Sequence, residues 1–229
     1  MAGSLTEFAK QWLFGLGASH ARETLVRSLP TGVVLGRVTR ALNSRGMTVS
    51  ERKQLGDKLL GIYFRQIFSD VPLFFDLRPS RLGWDGEELT WDATKSFFVL
   101  EPTFRRSLQN LYRGYYDNDL ALLKTALSEL NLVADHEDEV GEKRVVDLLL
   151  NRFSGGREGT VRFSMQQFKS SFDSLFNELI SGKKRLPPDF AFVGLLLASL
   201  YLTLESLDVD LDVSSQYRGA IEAAARRDV

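Results

Sequence analysis

Residues 73–102 read LFFDLRPSRLGWDGEELTWDATKSFFVLEP and carry the strongest extended-chain signals of this sequence. An apolar lead-in ends in a phenylalanine pair, and a short segment with two arginines follows it. Asp85-Gly86 then lies between apolar flanks, and this dipeptide favours tight turns between paired strands. The stretch therefore predicts a small β-hairpin inside a chain that is otherwise patterned for helices.

Helical periodicity surrounds this stretch on both sides. Thr48 and Glu51 form a capping-box pattern that predicts the start of a strong helix, and Ser4 with Glu7 predicts a first helix in the same way. Apolar residues at spacings of three and four predict the remaining helices. The expected fold class is therefore mainly α, with further helices after Pro102, from Leu120, near 143–153, over 164–181 and after Pro188.

Two helix assignments depend on single residues. Val34, Val38 and Leu42 recur at helical spacing, which predicts a helix with Gly46 as its C-cap. Asp189 is expected to be the N-cap of the most apolar helix, because a side-chain oxygen at that position satisfies the first free N–H groups.

Composition excludes several classes of function. The 229 residues are 44% hydrophobic and 26% charged, which is typical of a globular protein. A net charge of −1 leaves no basic excess for phosphates, so we expect no nucleic-acid partner. Cysteine is absent and the histidines are His20 and His136, so thiolate catalysis, zinc sites of the cysteine type and histidine triads are not expected. We expect no cofactor.

The sequence predicts a cytoplasmic protein, with peripheral attachment to a membrane as the alternative. The first residues lack the basic lead of a secretory signal, and Glu7 and Lys10 interrupt their apolar part. The longest apolar run, 190–204, has 15 residues, whereas a spanning helix needs about 20. The run is therefore interpreted as a buried core helix.

Three segments, taken in order over residues 29–213, resemble the UbiB/AarF family of atypical protein-kinase-like proteins. GVVLGRVTRALNSRGMTVSERKQLGDKLLGIYFRQIF is similar to the passage that follows the interlobe hinge of that family. FRRSLQNLYRGYYDNDLALLKTALSELNL is similar to the paired helices after its metal-binding motif, and LPPDFAFVGLLLASLYLTLESLDVDLDV to a late helix of its C-lobe. The resemblance implies the helical C-lobe of a kinase with a small β-hairpin.

The resemblance also places the residues of the catalytic loop. In the family, two phenylalanines precede His-x-Asp-Pro-His-Pro-Gly-Asn, whose Asp acts on the attacking group and whose Asn holds a metal ion. Here Arg78 stands at the position of that Asp and Gly83 at that of the Asn, while Asp92 matches the metal-binding Asp of the Asp-Phe-Gly motif. Because arginine accepts no proton and repels a metal, the resemblance implies a pseudokinase in which Asp92 is a relic.

The resemblance implies an N-lobe that we do not expect in this chain. That lobe carries an Ala-rich phosphate loop, a strand lysine with its Glu partner and a Lys-x-Gly-Gln motif. Only 28 residues precede the match, they are patterned as helices, and Lys-x-Gly-Gln does not occur. The expectation is no ATP binding, no catalytic residue and no bound metal, so the protein is not expected to be an enzyme.

Two sets of residues are candidates for interactions. Phe8, Trp12 and Leu16 recur at i, i+4 and i+8, which predicts an apolar stripe that packs on the domain itself, on a partner or on a membrane. Arg78 and Arg81 are interpreted as an anion site, as local ion pairs or as partner contacts, and Arg105 and Arg106 are grouped with them. The acidic run at 135–139 is expected to be a solvated loop rather than a metal site.

The expected organisation is an N-terminal helical extension at 1–28, a C-lobe-like domain at 29–213 and a polar C-terminal tail at 214–229. The expected function is that of a non-catalytic interaction or scaffold subunit, bound to other protein subunits in a larger assembly. The alternative is a membrane-peripheral accessory factor in isoprenoid-quinone or lipid metabolism. Half of a split atypical kinase is the less favoured third hypothesis.

Overall fold

The computed structural model describes residues 33–92, 97–133, 143, 146, 159–171 and 187–226. The predicted first helix with Phe8, Trp12 and Leu16, and the acidic run at 135–139, lie outside the described residues. The helix predicted over 164–181 is present at its described beginning, residues 165–171, and residues 143 and 146 are helical.

The mainly α-helical fold class is confirmed. Short strands connect the helices, and in the described part they form one three-stranded and two two-stranded sheets. The helices are α1 (Val49–Ile67), α2 (Pro102–Tyr116), α3 (Leu120–Glu129), α4 (Pro188–Leu207) and α5 (Val213–Ala225). The strands are β1 (Val33–Leu35), β2 (Leu73–Phe74), β3 (Leu82–Trp84), β4 (Leu89–Trp91), β5 (Phe97–Phe98), β6 (Val161–Arg162) and β7 (Asp210–Leu211).

Helix α1 is the centre of the core. Its predicted capping box forms: Thr48 Oγ1 accepts the Glu51 N–H at 3.2 Å, and the Glu51 carboxylate accepts the Thr48 N–H at 2.7 Å. Helices α2, α4 and α5 pack against α1. The side chains that α1 buries completely are Leu55, Leu59, Ile62 and Ile67, which are the apolar positions that define its face in the sequence.

The predicted hairpin is confirmed. Strands β3 and β4 pair antiparallel, with Leu82 opposite Trp91, and Gly86 in the connecting turn has a φ of 110°. This left-handed conformation is one that glycine adopts without a steric penalty. Strand β1 adds to the other edge of β4 in parallel, with Val33 opposite Leu89, so the hairpin becomes a three-stranded sheet.

The helix predicted from Val34, Val38 and Leu42 is wrong. Residues 33–35 are a strand, and the segment that contains Gly46 is a short 3₁₀ helix, Ser44–Gly46. The Leu42 N–H donates to the carbonyl oxygens of Pro79 (3.1 Å) and Leu82 (2.8 Å) instead of to a helical turn. Strand pairing with the hairpin is therefore more favourable for this segment than the helix that the apolar spacing predicts.

The expected N-cap of α4 is also wrong. Pro187 is the N-cap and Pro188 occupies the first helical position, where its missing N–H costs nothing. Asp189 lies in the first turn, and its carboxylate accepts the Glu101 N–H at 3.3 Å. The residue thus connects the start of α4 to the start of α2.

The C-terminal segment is more than the expected polar tail. Residues 213–225 form α5, which begins at an Asp212 N-cap and packs on α1. Tyr217 is 2% exposed, and its ring stacks on Tyr116 with centroids 4.4 Å apart. The amphipathic helix therefore belongs to the core.

Helix α4 buries one face and exposes another. Leu196, Leu200 and Leu204 are buried, whereas Leu195 is 47% and Leu202 41% exposed. The core interpretation of the 190–204 run is thus correct for one face. With 20 residues, α4 is long and apolar enough to cross a membrane by length and composition, a test that core helices of soluble proteins also pass.

Neighbouring leucines of α4 offer a matched pair of variants. We expect Leu196→Asp to prevent folding, because an unpaired carboxylate in the core costs several kcal/mol. Leu195→Asp should fold, since its side chain is about half exposed. Soluble expression and circular dichroism measure the outcome. Equal behaviour of the two variants would contradict the orientation of α4.

Candidate functional site

The segment that precedes the hairpin, residues 75–78, lies on hydroxyl groups of α4. Ser199 Oγ accepts the Leu77 N–H at 3.0 Å and lies 2.5 Å from the Phe75 carbonyl oxygen. Thr203 Oγ1 donates to the Leu77 carbonyl oxygen. Both hydroxyl-bearing residues are buried, so side chains satisfy the irregular backbone where no water reaches it.

Two further contacts hold this segment from the sheet and from α1. The Trp91 indole N–H donates to the Asp76 carbonyl oxygen at 3.2 Å, and its ring packs on Phe74 with centroids 4.7 Å apart. Gln66 Oε1 accepts the Phe74 N–H at 2.5 Å. The backbone around Asp76 is therefore fixed from three elements, and the Asp76 side chain has a defined position.

Four charged residues form an ion-pair cluster at this place: Asp76, Arg78, Arg81 and Asp92. Arg78 donates from Nε and Nη2 to the two oxygens of the Asp76 carboxylate at 2.6 and 2.7 Å. Arg81 Nε lies 3.4 Å from Asp76 Oδ2, and Arg81 Nη1 lies 3.0 Å from Asp92 Oδ2. Arg81 therefore bridges the two carboxylates, and the Asp76 carboxylate interacts with the positive charges of both arginines.

Asp76 is the buried member of the ion-pair cluster, with 6% of its surface exposed. Burial alone would raise the pKa of its carboxyl group. The hydrogen bonds and charge of Arg78, together with the charge of Arg81, outweigh burial and leave the Asp76 pKa below its usual value. The carboxylate is thus ionised at neutral pH and depends on the arginines for compensation.

The Asp92 carboxylate is paired with a guanidinium. Asp92 lies at the end of β4, where its N–H donates to the Arg81 carbonyl oxygen at 3.0 Å and its carboxylate pairs with the Arg81 side chain. A magnesium ion needs several oxygen ligands, and a cation beside Asp92 repels it. Among the described residues, no group of three His, Cys, Asp or Glu side chains is placed to hold a metal. The described surroundings of Asp92 therefore do not fit a metal ion.

Gly83 has a packing role in β3. A Cβ atom built there would lie 3.2 Å from the Arg40 carbonyl oxygen and 3.6 Å from Val38 Cγ1. A residue with a Cβ atom there would therefore displace the Arg40 carbonyl by a few tenths of an ångström. The glycine allows the connection after β1 to approach the hairpin closely.

Among the described residues, neither Arg105 nor Arg106 forms a hydrogen bond or ion pair with the ion-pair cluster. Arg105 is 4% exposed and donates to the carbonyl oxygens of Gln66 (3.2 Å), Val71 (2.8 Å) and Ser69. These carbonyls lie at the end of α1 and just after it, so this arginine completes the hydrogen bonds of a helix terminus. Arg106 is exposed on α2. The interpretation of local pairing is right for Arg78 and Arg81.

Several residues of the site do not stand out in the sequence. Asp76 follows the phenylalanine pair directly, and its spacing of two from Arg78 is the signal that could have identified an ion pair. Ser199 and Thr203 are separated by one helical turn inside an apolar run, which indicates a polar contact on the buried face. Phe8, Trp12 and Leu16, the other predicted interaction residues, lie outside the described residues.

Replacing Arg78 tests the ion-pair cluster. We expect Arg78→Asp to lower the free energy of unfolding by about 2 kcal/mol, because Asp76 loses its charge-assisted hydrogen bonds. Arg218→Asp, on an exposed position of α5, should change it by less than about 0.5 kcal/mol. Urea unfolding provides the measurement.

The contribution of Asp76 to stability depends on pH with a defined sign. Since the native pKa of Asp76 is below the unfolded value of about 3.9, its contribution is present above that pH and is lost as the pH falls through the native pKa. The stability difference between wild type and Asp76→Asn should therefore be largest near neutral pH and shrink towards about pH 3. A difference that grows on acidification would contradict the assignment.

Comparison with known proteins informs the fold. No protein-family model matches the chain, and no curated protein matches it. Among solved structures, the complex of Rv3197 with erythromycin, from Mycobacterium tuberculosis, is similar, with a TM-score of 0.63 and 14% sequence identity. The match covers 93% of this chain and 60% of that one, so the chain spans about three fifths of the length of its structural neighbour. At this identity, the similarity establishes a shared fold and nothing beyond it.

Proposed function

We propose that this protein is a non-catalytic interaction subunit, a pseudokinase-like scaffold with the architecture of a UbiB/AarF C-lobe. The observation that carries the proposal is the bridge of Arg81 between Asp76 and Asp92. Metal-assisted phosphoryl transfer needs carboxylates that are free to bind magnesium and phosphate. Here both carboxylates are neutralised by guanidinium groups of the same chain.

The position of Arg78 supports the same proposal. A catalytic loop of this type needs a group that accepts a proton, and a guanidinium remains protonated at all physiological pH values. Arg78 is also held by two hydrogen bonds to a buried carboxylate, and this pairing raises its pKa further. Arg78 thus contributes to the structure of the loop that would carry catalysis in an active relative.

Surface composition favours a role in binding. Apolar side chains of four elements are exposed in the described part: Val34 of β1 at 44%, Val49 of α1 at 63%, Leu120 of α3 at 47% and Leu195 of α4 at 47%. Exposed apolar side chains of this size are common contact residues in assemblies, although single ones also occur on monomers. The Phe8, Trp12 and Leu16 stripe remains the prediction for the main anchor.

A membrane-peripheral accessory factor, in isoprenoid-quinone or lipid metabolism, is the second candidate function. The observation that favours it is the pair Leu195 and Leu202 on α4, seven residues apart and thus on one side of the helix. A helix with an exposed apolar face can lie in a membrane interface. Leu196, Leu200 and Leu204 on the other side belong to the protein core, so α4 would lie on the membrane rather than cross it.

Nucleotide binding is the direct test of the non-catalytic proposal. We expect no change in melting temperature with millimolar Mg-ATP, because Asp92 is paired and Arg78 replaces the acid. A ligand at a hundred times its Kd would add about 2.7 kcal/mol of stability, which is easily measured. A reproducible rise that Asp92→Asn abolishes would contradict the proposal and favour the split-kinase hypothesis.

The interaction role is tested by replacing Phe8 and Trp12 together by Ser. We expect the domain to stay folded and the protein to lose its native partners in affinity purification, since an isolated amphipathic helix of this length must dock to be stable. Lys10→Ser is the matched control within the same segment and should retain the partners.

Two outcomes would redirect the assignment. If the double variant unfolds the domain, the aromatic residues belong to its core and the anchor lies elsewhere. If wild type fractionates with membranes and the double variant does not, with no protein partner lost, the membrane-peripheral function is the correct one.

A further inference from the structure

Two neighbouring segments carry four exposed or partly exposed arginines, called here the arginine face: Arg37 and Arg40 after β1, and Arg78 and Arg81 before β3. Hydrogen bonds between the backbones hold the segments together. The Leu42 N–H donates to the carbonyl oxygens of Pro79 (3.1 Å) and Leu82 (2.8 Å).

The contact continues along β3 and β4. The Gly36 N–H donates to the Trp91 carbonyl oxygen at 3.1 Å, so Arg37 follows directly on a residue paired with the end of β4. The Arg40 carbonyl lies against Gly83, at 3.2 Å from the place of a Cβ atom. The arginine face is therefore a product of the fold, assembled from residues about forty positions apart in sequence.

The arginines retain hydrogen-bond donors. Arg78 directs two of its five N–H donors at Asp76, and its side chain is 53% exposed; that of Arg81 is 38% exposed. Arg37 and Arg40 are exposed and form no ion pair with another described residue. Counting only these four arginines and the two aspartates of the ion-pair cluster, guanidiniums outnumber carboxylates by two.

Two of these guanidiniums are also fixed in place. Asp76 orients Arg78, and its own backbone is held by Trp91 and by the hydroxyls under residues 75–78. A side chain that is ordered before binding loses little conformational entropy when a ligand arrives. The arginine face thus combines two guanidiniums held by carboxylates with two exposed ones that have no ion-pair partner among the described residues, a set suited to several carboxylates.

We propose that the arginine face binds an acidic segment of a partner protein. The proposal rests on the interaction role proposed above and names the chemistry of its partner. Guanidinium forks match carboxylates with two parallel hydrogen bonds, and Asp76 already shows this geometry with Arg78. Binding of a nucleic acid requires more cationic side chains than the arginine face supplies. Attraction to an anionic lipid surface depends mainly on net positive charge, and the surplus of positive charge here is small.

The test uses a short fluorescein-labelled peptide rich in glutamate, and its glutamine counterpart, with the full chain. Binding is measured by fluorescence anisotropy at about 0.15 M salt, because salt at this concentration screens weak long-range attraction. We expect the glutamate peptide to bind wild type, and Arg37→Gln/Arg40→Gln to weaken binding at least tenfold. Arg218→Gln/Arg226→Gln, a pair with equal charge change on and just after α5, should leave the affinity unchanged. Circular dichroism verifies that each variant is folded.

A conservative variant separates geometry from charge. Arg37→Lys/Arg40→Lys keeps the charge and removes the forks, so we expect it to bind less tightly than wild type and more tightly than the glutamine variant. Equal losses in the control pair, equal binding of the glutamine peptide, or no binding of the glutamate peptide to wild type would each overturn the proposal.

Other anions serve as competing probes. If phosphatidylserine vesicles or a single-stranded oligonucleotide bind more tightly than the peptide, and Arg37→Gln/Arg40→Gln abolishes that binding, the arginine face serves a lipid or nucleic acid and the proposal is wrong. These results are independent of the Mg-ATP measurement. If neither the peptide nor Mg-ATP binds, the proposal for the arginine face is wrong and the non-catalytic role is unaffected. If Mg-ATP binds, the non-catalytic role itself is contradicted.

Discussion

A carboxylate placed in a protein interior needs positive charge nearby, and Asp76 imposes this constraint on the surrounding structure. Its oxygens receive two hydrogen bonds from Arg78 and the charge of Arg81. Removing water from an ion costs several kcal/mol, so the arginines must stay within a few ångströms of it. Arg81 is thereby held where it also reaches Asp92, and the 75–78 segment and the hairpin are joined through one buried charge.

The same segment explains why an apolar helix carries hydroxyl groups. Residues 75–78 are neither helical nor paired in a sheet, and Asp76 and Leu77 among them are buried. Ser199 and Thr203 supply the hydrogen bonds that water would otherwise supply. Helix α4 therefore has two roles, since its leucines fill the core and its hydroxyls support the loop that carries the ion-pair cluster.

Sequence patterns correctly predicted the elements that depend on interactions between residues close together in the chain. The Thr48 capping box and the apolar face of α1 form as the sequence indicates, and Asp85-Gly86 makes its turn, because each depends on residues within one or two turns of chain. The segment around Val34 was assigned wrongly, because its conformation is decided by β4, far away in sequence. The spacing of apolar residues within the segment contains no information about a strand partner so far away in sequence.

The candidate site shows the same division. The resemblance identified Arg78, Gly83 and Asp92 as positions of interest, and the sequence left an anion site, local ion pairs and partner contacts open for Arg78 and Arg81. The bridge of Arg81 and the burial of Asp76 needed the three-dimensional contacts of Trp91 and α4, which no spacing encodes. Tyr217 likewise lies in a segment of polar composition, and its burial depends on packing against α1 and Tyr116.

The parallel pairing of β1 with β4 has a consequence for the order of folding. Val33 and Leu89 are partners although 56 residues separate them, and closing a loop of that length costs entropy before any strand contact compensates for it. Helix α1 and the β3–β4 hairpin involve much shorter closures and can form first. We therefore expect β1 to dock late, and with it Arg37 and Arg40. A chain that is still folding, or one that has opened at this edge, keeps most of its core while the segment that carries those two arginines is not held against residues 79–83.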